Sequence, residues 1–221
     1  MAADLSWRFA PDVHGAVDSG NLVLLDVAAD AYFCLPGAGS ALAPGPVGNE
    51  VGRLPEDLLH ELAQARLIRQ TSEDEPQASP VFSPNSDCFA AAPAAFNWRD
   101  GAAFAKAYVG LAPRFYRRPF DQVLAHARAR RLRLGTTGAT EGVVARAKLF
   151  NAMMPWSPVQ GACLLQAAWM LEFLAGAGLT ADWVFGVRTW PFSAHCWVQA
   201  GEVVLNDTLE RVAPYRVILR V

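Results

Sequence analysis

Apolar and polar positions follow two different patterns along the chain. In the first seventy residues, the short apolar runs "HGAV", "LVLLDV" and "AYFCL" are separated by the turn-like stretches "DSGN" and "AAD". Runs bounded in this way are typical of short strands. The following stretch, "LPEDLLHELAQARLI", has leucines at helical spacing and Pro55 near its first turn. We therefore predict three strands followed by one helix over residues 55–67.

From about Phe96 the apolar positions recur with helical spacing. Candidate helices are "WRDGAAFAKAYVGLAPRFY", "PFDQVLAHARARRLRL" and "ATEGVVARAKLFNAMM", and a fourth begins near Cys163. The period then changes to two, which predicts strands in "ADWVFGVRTW", "SAHCWVQAG", "EVVLND" and "YRVILRV". Helices followed by antiparallel strands indicate an α+β fold.

The two patterns are separated by a stretch with the composition of a linker. Residues 71–87, "TSEDEPQASPVFSPNSD", are rich in serine, proline and acids. We predict a first domain over residues 1–70, a linker over 71–95 and a second domain over 96–221.

Composition limits the classes of function. Hydrophobic residues make up 52% of the 221 residues, enough for a real core, and the net charge of −2 supplies no overall field for nucleic acid. The opening "MAADLSWRFAPDV" lacks a secretory signal pattern, and no apolar run predicts a membrane span. The four cysteines are dispersed without a CxxC pair. We expect a cytoplasmic protein with reduced thiols, no metal and no cofactor.

Cys163 stands at the start of a helix, after the chain breakers Pro155, Pro158 and Gly161. One interpretation is a small apolar residue in a helical stripe. The other is a thiolate, because helix N-terminal amides and a nearby imidazolium both stabilise negative charge on sulfur. The helix alone leaves both interpretations open.

His195 and Asp207 are the groups that would activate such a thiol. Strand alternation places His195 on the face opposite Cys196, which we expect to point into the core. The hairpin through "AGE" brings Asp207 onto the strand beside His195. An aspartate there orients an imidazole and stabilises its cation. Structural roles for both residues remain open, but together with Cys163 they form a thiol–imidazole–carboxylate constellation.

The segment from Cys163 to Asp207 resembles the B protein of lasso-peptide biosynthesis, a transglutaminase-like cysteine protease that removes the leader of a precursor peptide. The resemblance rests on the cysteine helix, "GVRTWPF", "SAHCWV" and "LND", in the family's order and spacing, and it covers most of residues 96–221. It implies a papain/transglutaminase-like fold with Cys163 as nucleophile, His195 as general base and acid, and Asp207 as orienting acid.

The resemblance also implies a role for residues 1–70. Many family members carry an N-terminal, small winged-helix-like domain that recognises the leader, and "LVLLDVAADAYFCLPGAG" is similar to its second and third strands. Such a domain binds the leader as an added strand. The leader-binding residues implied are Ala31, Tyr32, Phe33, Cys34 and Leu35, facing the helix that carries Leu62. "APGPVGNEVGRL" departs from the family pattern, in which a middle helix stands there.

Two further features have less specific interpretations. Gln160 is a candidate oxyanion donor, although its spacing from Cys163 differs from that in papain-like enzymes. A basic stretch, interleaved with aromatic residues, favours a solvated face or a protein-docking patch over a nucleic-acid site; its members are Arg114, Arg117, Arg118, Arg128, Arg130, Arg131 and Arg133.

The sequence therefore predicts a leader peptidase that acts through a thioester and passes the freed core peptide to a lasso cyclase resembling asparagine synthetase. Acyl transfer to an amine is an alternative reaction, because a thioester can react with water or with an amine. A leader-binding scaffold without catalysis is an alternative of a different class.

Overall fold

The structure is a computed structural model, and it describes residues 6–41, 51, 54–71, 83–89, 95–135, 141–157 and 163–221. The chain is mixed α/β. Contacts divide it into two compact units: the first comprises Met1–Val81, Gly186–Ala194 and Arg216–Leu219, and the second Phe82–Phe185, His195–Tyr215 and Arg220–Val221. Among the described helices, none is both long and apolar enough to cross a membrane.

Several short strands belong to the first unit. Strand β1 (Ser6–Phe9) is followed by β2 (Val13–Asp18), β3 (Asn21–Asp26) and β4 (Ala31–Leu35). The last three form an antiparallel sheet in the order β2-β3-β4, which confirms the three predicted strands. Ser19 and Gly20 join β2 to β3 with φ angles of 50° and 80°, a turn conformation that suits glycine.

One helix, α1 (Glu56–Gln64), closes the core of this unit. It is shorter than predicted because Arg66 adopts a φ of 59° and the Leu67 amide donates to the Leu62 carbonyl at 2.9 Å, which caps the helix end. Strand β5 (Ile68–Thr71) then pairs with β1. Neither β1 nor β5 was predicted. The core is a cluster of apolar side chains: Phe9, Val13, Leu22, Leu24, Leu62, Leu67 and Ile68.

A winged-helix domain is not confirmed by this arrangement. The described part of residues 1–71 has five strands, α1 and a 3-10 turn at Ala38–Ala41. The "APGPVGNEVGRL" stretch, expected to stand in place of a middle helix, lies outside the described residues except for Val51 and Leu54. Residues 72–82 and 90–94 of the predicted linker also lie outside them.

The first unit includes residues 186–194, and polar contacts hold this segment. The buried carboxylate of Asp18 accepts hydrogen bonds from the backbone amide and the hydroxyl of Thr189, both at 2.7 Å. In the same unit the ring of Tyr32 on β4 lies 5.6 Å from the ring of Phe192. Trp190 and Phe192 are nevertheless largely exposed.

Four helices form one part of the second unit: α2 (Trp98–Arg117), α3 (Phe120–Leu134), α4 (Glu141–Met153) and α5 (Cys163–Ala175). They match the predicted helices. A capping box between Asn97 and Asp100 begins α2. The Phe104 ring of α2 packs 4.0 Å from the Trp169 ring of α5, so the helices share an aromatic core.

The remaining strands are β6 (Ser86–Asp87), β7 (Asp182–Arg188), β8 (Ser193–Ala200), β9 (Val203–Val204) and β10 (Arg216–Arg220), in the sheet order β10-β7-β8-β9-β6. Strand β9 is shorter than the predicted strand over residues 202–207. A short helix, α6 (Leu209–Val212), follows it.

Candidate active site

Cys163 is the first residue of α5. Its side chain is half-buried, whereas Ala167, Met170 and Leu174, which share its helical stripe, are fully buried. The amides of the first helical turn have no carbonyl partner inside the helix, so they favour negative charge on this sulfur. Residues 158–162 lie outside the described residues, and with them the candidate oxyanion donor Gln160.

His195 and Asp207 form a buried pair. Nε2 of His195 lies 2.6 Å from Oδ2 of Asp207, and each residue is 8% exposed. The other carboxylate oxygen, Oδ1, accepts the backbone amide of Thr208 at 2.8 Å. Asp207 is thus fixed at both oxygens and sets the orientation of the imidazole.

The turn that carries Asp207 is held against β8 by a side chain. The Asn206 carbonyl oxygen Oδ1 accepts the backbone amide of Val198 at 2.6 Å, and the Leu205 amide donates to the Val198 carbonyl at 2.8 Å. The Asn206 side chain takes the place of the next backbone hydrogen bond between β8 and β9, so β9 ends early and the chain turns. The turn places Asp207 beside His195.

The sulfur of Cys163 contacts two side chains, those of Cys196 and His195. Hydrogen bonds from the side chain of Cys196 and from His195 lower the pKa of Cys163 to about 4, although burial opposes the shift. With Nε2 facing Asp207, Nδ1 is the imidazole nitrogen left for the sulfur. Cys163 is therefore a thiolate at neutral pH.

The imidazole carries the matching positive charge. Burial disfavours the imidazolium, but hydrogen bonds to Asp207 and Cys163 outweigh it and raise the pKa of His195 to about 9. Burial likewise opposes ionisation of Asp207, yet the hydrogen bonds from His195 and from the Thr208 amide lower its pKa. The site therefore holds a thiolate–imidazolium pair beside a carboxylate between about pH 4 and pH 9.

Cys196 is buried, as expected, and it also contacts the candidate nucleophile, which was not expected. Its side chain hydrogen-bonds to Cys163, and this contact together with burial raises the pKa of Cys196 well above its ordinary value. It therefore remains a thiol that donates to the Cys163 sulfur. Alternation along an ideal flat strand assigns adjacent residues to opposite faces, so the sequence held no signal for this contact.

Two aromatic rings lie near His195, one on β8 and one just before β10. The Tyr215 ring lies 5.4 Å from the imidazole, and the Trp197 ring lies 6.2 Å from it. Trp197 is 1% exposed. These rings exclude water around the ion pair, which strengthens its electrostatic interactions.

The predicted leader-binding residues lie in the first unit. Strand β4 is the end strand of its sheet, and Phe33 and Cys34 on it are exposed. Ala31, Tyr32 and Leu35 are half-buried. Leu62 is only 5% exposed and belongs to the apolar core.

The basic stretch is less solvated than expected. Arg130 is 8% exposed and donates to Glu172 at 2.6 Å, and His126 lies 3.1 Å from the same carboxylate. Arg131 pairs with Asp182. No group of three or more His, Cys, Asp or Glu side chains suited to a metal occurs in the described part of the chain.

Comparison with curated proteins and with solved structures found no match. Residues 102–220, more than half of the chain, match the family model of the transglutaminase-like superfamily. They include Cys163, His195 and Asp207. Members of this superfamily are often cysteine peptidases or acyltransferases, and a thiolate beside a carboxylate-oriented imidazolium fits both activities. The chain belongs to the transglutaminase-like superfamily.

Proposed function

We propose that the protein is a leader peptidase for a lasso-peptide precursor. The observation that carries the proposal is the buried His195–Asp207 pair facing a thiolate at the start of α5. The resemblance of the surrounding sequence to the lasso B proteins supplies the substrate class.

The reaction follows from the charges of the site. The Cys163 thiolate attacks the carbonyl carbon of the leader–core peptide bond, and the electron pair of the carbonyl moves to oxygen. The backbone amide of Cys163 at the helix start is a donor for this oxyanion, with Gln160 as a candidate second donor. When the intermediate collapses, the C–N bond breaks and His195 gives its proton to the leaving nitrogen.

The leader is then bound to Cys163 as a thioester, and the core peptide leaves with a free amino terminus. His195, now neutral, takes a proton from a water molecule that attacks the thioester carbonyl. The C–S bond breaks, the thiolate returns, and the leader leaves with a new carboxylate. Asp207 stabilises the imidazolium at each stage in which it forms.

The first unit offers a surface for leader recognition. Strand β4 lies at the end of its sheet, where an extended peptide can add as a further strand. The exposed Phe33 and Cys34 on β4 offer side-chain contacts, and Tyr32 reaches the exposed Phe192 in the same unit. The leader would bind along Ala31–Leu35.

The freed amino terminus of the core would pass to an ATP-dependent lasso cyclase resembling asparagine synthetase. Transfer of the acyl group from the thioester to an amine is the second candidate reaction, because the thiolate–imidazolium pair serves it equally. A binding scaffold without catalysis is the third candidate.

Incubation of the protein with the precursor peptide encoded beside its gene, followed by mass spectrometry, separates the three candidates. We expect two fragments whose masses add up to the precursor plus one water. A peptide in which an amine has replaced the leaving group, with the corresponding mass difference, indicates acyl transfer. An intact precursor that binds indicates a scaffold. Either result contradicts the peptidase.

Two cysteine variants complete this experiment. Cys163→Ala is expected to lose cleavage while its affinity for the leader stays within about threefold, because β4 and Cys163 lie in different units. Cys34→Ala removes an exposed thiol on the proposed leader-binding strand, so it is expected to keep kcat and to change only KM for the precursor. Cleavage by Cys163→Ala would show that the nucleophile is a different residue.

A further inference from the structure

A cavity in the second unit lies among helices α2, α3, α4 and α5. Its volume is about 570 Å³, and Cys163, His195 and Asp207 are not among its lining residues. Five of the lining side chains are cations, namely Lys106, Arg114, Arg130, Arg133 and Arg146. Of the described residues that line it, Glu172 is the single carboxylate.

That carboxylate is already engaged. Arg130 donates to Glu172 at 2.6 Å, and His126 lies 3.1 Å from the same oxygen. Burial lowers the pKa of Arg130, and repulsion from the positive charge of Arg133 lowers it further. The carboxylate of Glu172 opposes both effects. A bound anion would relieve that repulsion, since one carboxylate does not balance the cations.

Arg146 retains unused donor capacity. Its guanidinium lies 3.7 Å from the centre of the Phe173 ring, which fixes its plane. Among the described residues, its one carboxylate partner is Asp100, at a long 3.4 Å, and Asp100 also caps α2. The Nε atom of Arg146 is buried without a hydrogen-bond partner among the described residues. A buried donor of this kind is costly to leave unpaired.

The other cations are also available to a ligand. Within the described part of the chain, Lys106 and Arg133 have no carboxylate partner. Arg114 donates through Nη1 to the Gly110 carbonyl at 3.1 Å, which leaves its other nitrogens for a ligand.

We infer that this cavity binds a small phosphate-bearing anion. Guanidinium groups bind phosphate oxygens in bidentate pairs, and a volume of about 570 Å³ suits a small-molecule ligand. The walls are helical, so their backbone groups are largely paired inside the helices. The donors available are side-chain cations, which fit a ligand rich in anionic oxygens better than a peptide that needs main-chain partners.

A smaller cavity of about 120 Å³ adjoins the first and shares Arg114, His126, Arg130 and Glu172 with it. Its other walls include the apolar side chains of Leu111, Phe115 and Trp183. An organic phosphate can therefore place its anionic group among the cations and an apolar or ring portion beside these side chains. Inorganic pyrophosphate and ADP distinguish the two possible sources of the phosphate.

Titration calorimetry on the full chain tests the inference, at about 0.15 M salt to screen weak surface attraction. We expect saturable binding of pyrophosphate, of ADP or of both, with a Kd below about 1 mM. Binding of pyrophosphate alone identifies an inorganic anion site, and tighter binding of ADP identifies an organic phosphate site. Absence of saturable binding for both probes overturns the inference.

Charge reversal locates the site. Lys106→Glu and Arg133→Glu change exposed side chains that line the cavity, so the fold should persist, and each is expected to weaken binding at least tenfold. Arg117→Glu is the matched control, because Arg117 is exposed on α2 and does not line either cavity. Equal weakening by the control overturns the inference, as does a hexaglutamate peptide that binds more tightly than either phosphate probe. Circular dichroism verifies that each variant is folded.

Discussion

His195 and Asp207 are joined at 2.6 Å through Nε2 of the imidazole, so Nδ1 is the nitrogen that serves the Cys163 sulfur. The pair is buried and its carboxylate is held by the Thr208 amide. This geometry makes the tautomer and the charge of His195 depend on Asp207, which a substitution can test.

Asp207→Asn is expected to lower kcat for precursor cleavage by about 10²–10⁴-fold without abolishing it, because the carboxylate orients and stabilises but does not react. Loss of the negative charge also lowers the pKa of His195. Cleavage rates measured against pH should therefore show an alkaline limb displaced to lower pH. Asp182→Asn, which removes a carboxylate paired with Arg131 and Arg220, is the control and should leave the limb unchanged.

The pH dependence of the wild-type protein follows from two shifted pKa values. The pKa of Cys163 is lowered to about 4, so alkylation by iodoacetamide should fall only as the pH drops through about 4. The pKa of His195 is raised to about 9, so cleavage, which needs the imidazolium proton, should fall as the pH rises through about 9. His195→Ala should move the alkylation midpoint up towards the ordinary range of a thiol, near 8.5. An unshifted midpoint in that variant would contradict the ion pair.

Local sequence pattern predicted the helices of the second unit and the strands β2, β3, β4, β7, β8 and β10. These elements have regular apolar periods, which persist in the folded chain because one face of each is buried. The sequence also predicted that Cys163 begins a helix and that His195 lies on a strand, but it placed Asp207 on the next strand, whereas the structure has it after the end of β9.

Contacts that depend on distant partners were not predictable. Strand β1 pairs with β5 through Ser6 and Thr71, two short segments that carry no clear period of their own. The contact between Cys196 and Cys163 arises from the position of a helix start against a strand, and adjacency to His195 in sequence argues against it. Packing of this kind appears only once the chain is folded.

Cys196→Ala provides a test of that unexpected contact. The side-chain hydrogen bond from Cys196 is the largest of the effects that lower the pKa of Cys163, so its removal should raise that pKa. At pH 5 the alkylation rate of Cys163 is expected to fall several-fold, while cleavage near pH 7 persists. Cys34→Ala, which removes an exposed thiol on β4, should leave the alkylation rate of Cys163 unchanged. A Cys196→Ala variant without any cleavage would instead identify Cys196 as the reacting thiol.

A substitution at Leu62 tests whether this residue stabilises the core or contacts the leader. It is 5% exposed and packs in the core of the first unit, so Leu62→Ala should lower the free energy of unfolding by about 2–5 kcal/mol. Urea denaturation measures this change. Leu132→Ala, at an 85% exposed position, should change it by less than about 0.5 kcal/mol. A folded Leu62→Ala variant of unchanged stability but weakened leader affinity would place Leu62 in the binding surface.

Strand addition at the edge of β4 is best tested in the Cys163→Ala protein, which is expected to bind the peptide without cleaving it. Proline removes a backbone amide, so it should weaken binding of an added strand wherever that amide faces outward. In the antiparallel pairing of β4 with β3, Tyr32 lies opposite Leu25 and Phe33 opposite Leu24. Amides of successive residues in a strand point to opposite sides, so one of the two faces the free edge.

We therefore expect one of Tyr32→Pro and Phe33→Pro to remain folded and to bind labelled leader at least tenfold more weakly, as measured by fluorescence anisotropy. The other should lose a hydrogen bond to β3 and show a loss of structure by circular dichroism. Phe33→Ala keeps every amide and serves as the control for the side chain alone. If the folded proline variant binds the leader with wild-type affinity, the leader does not add to β4, and the recognition surface lies elsewhere on the protein.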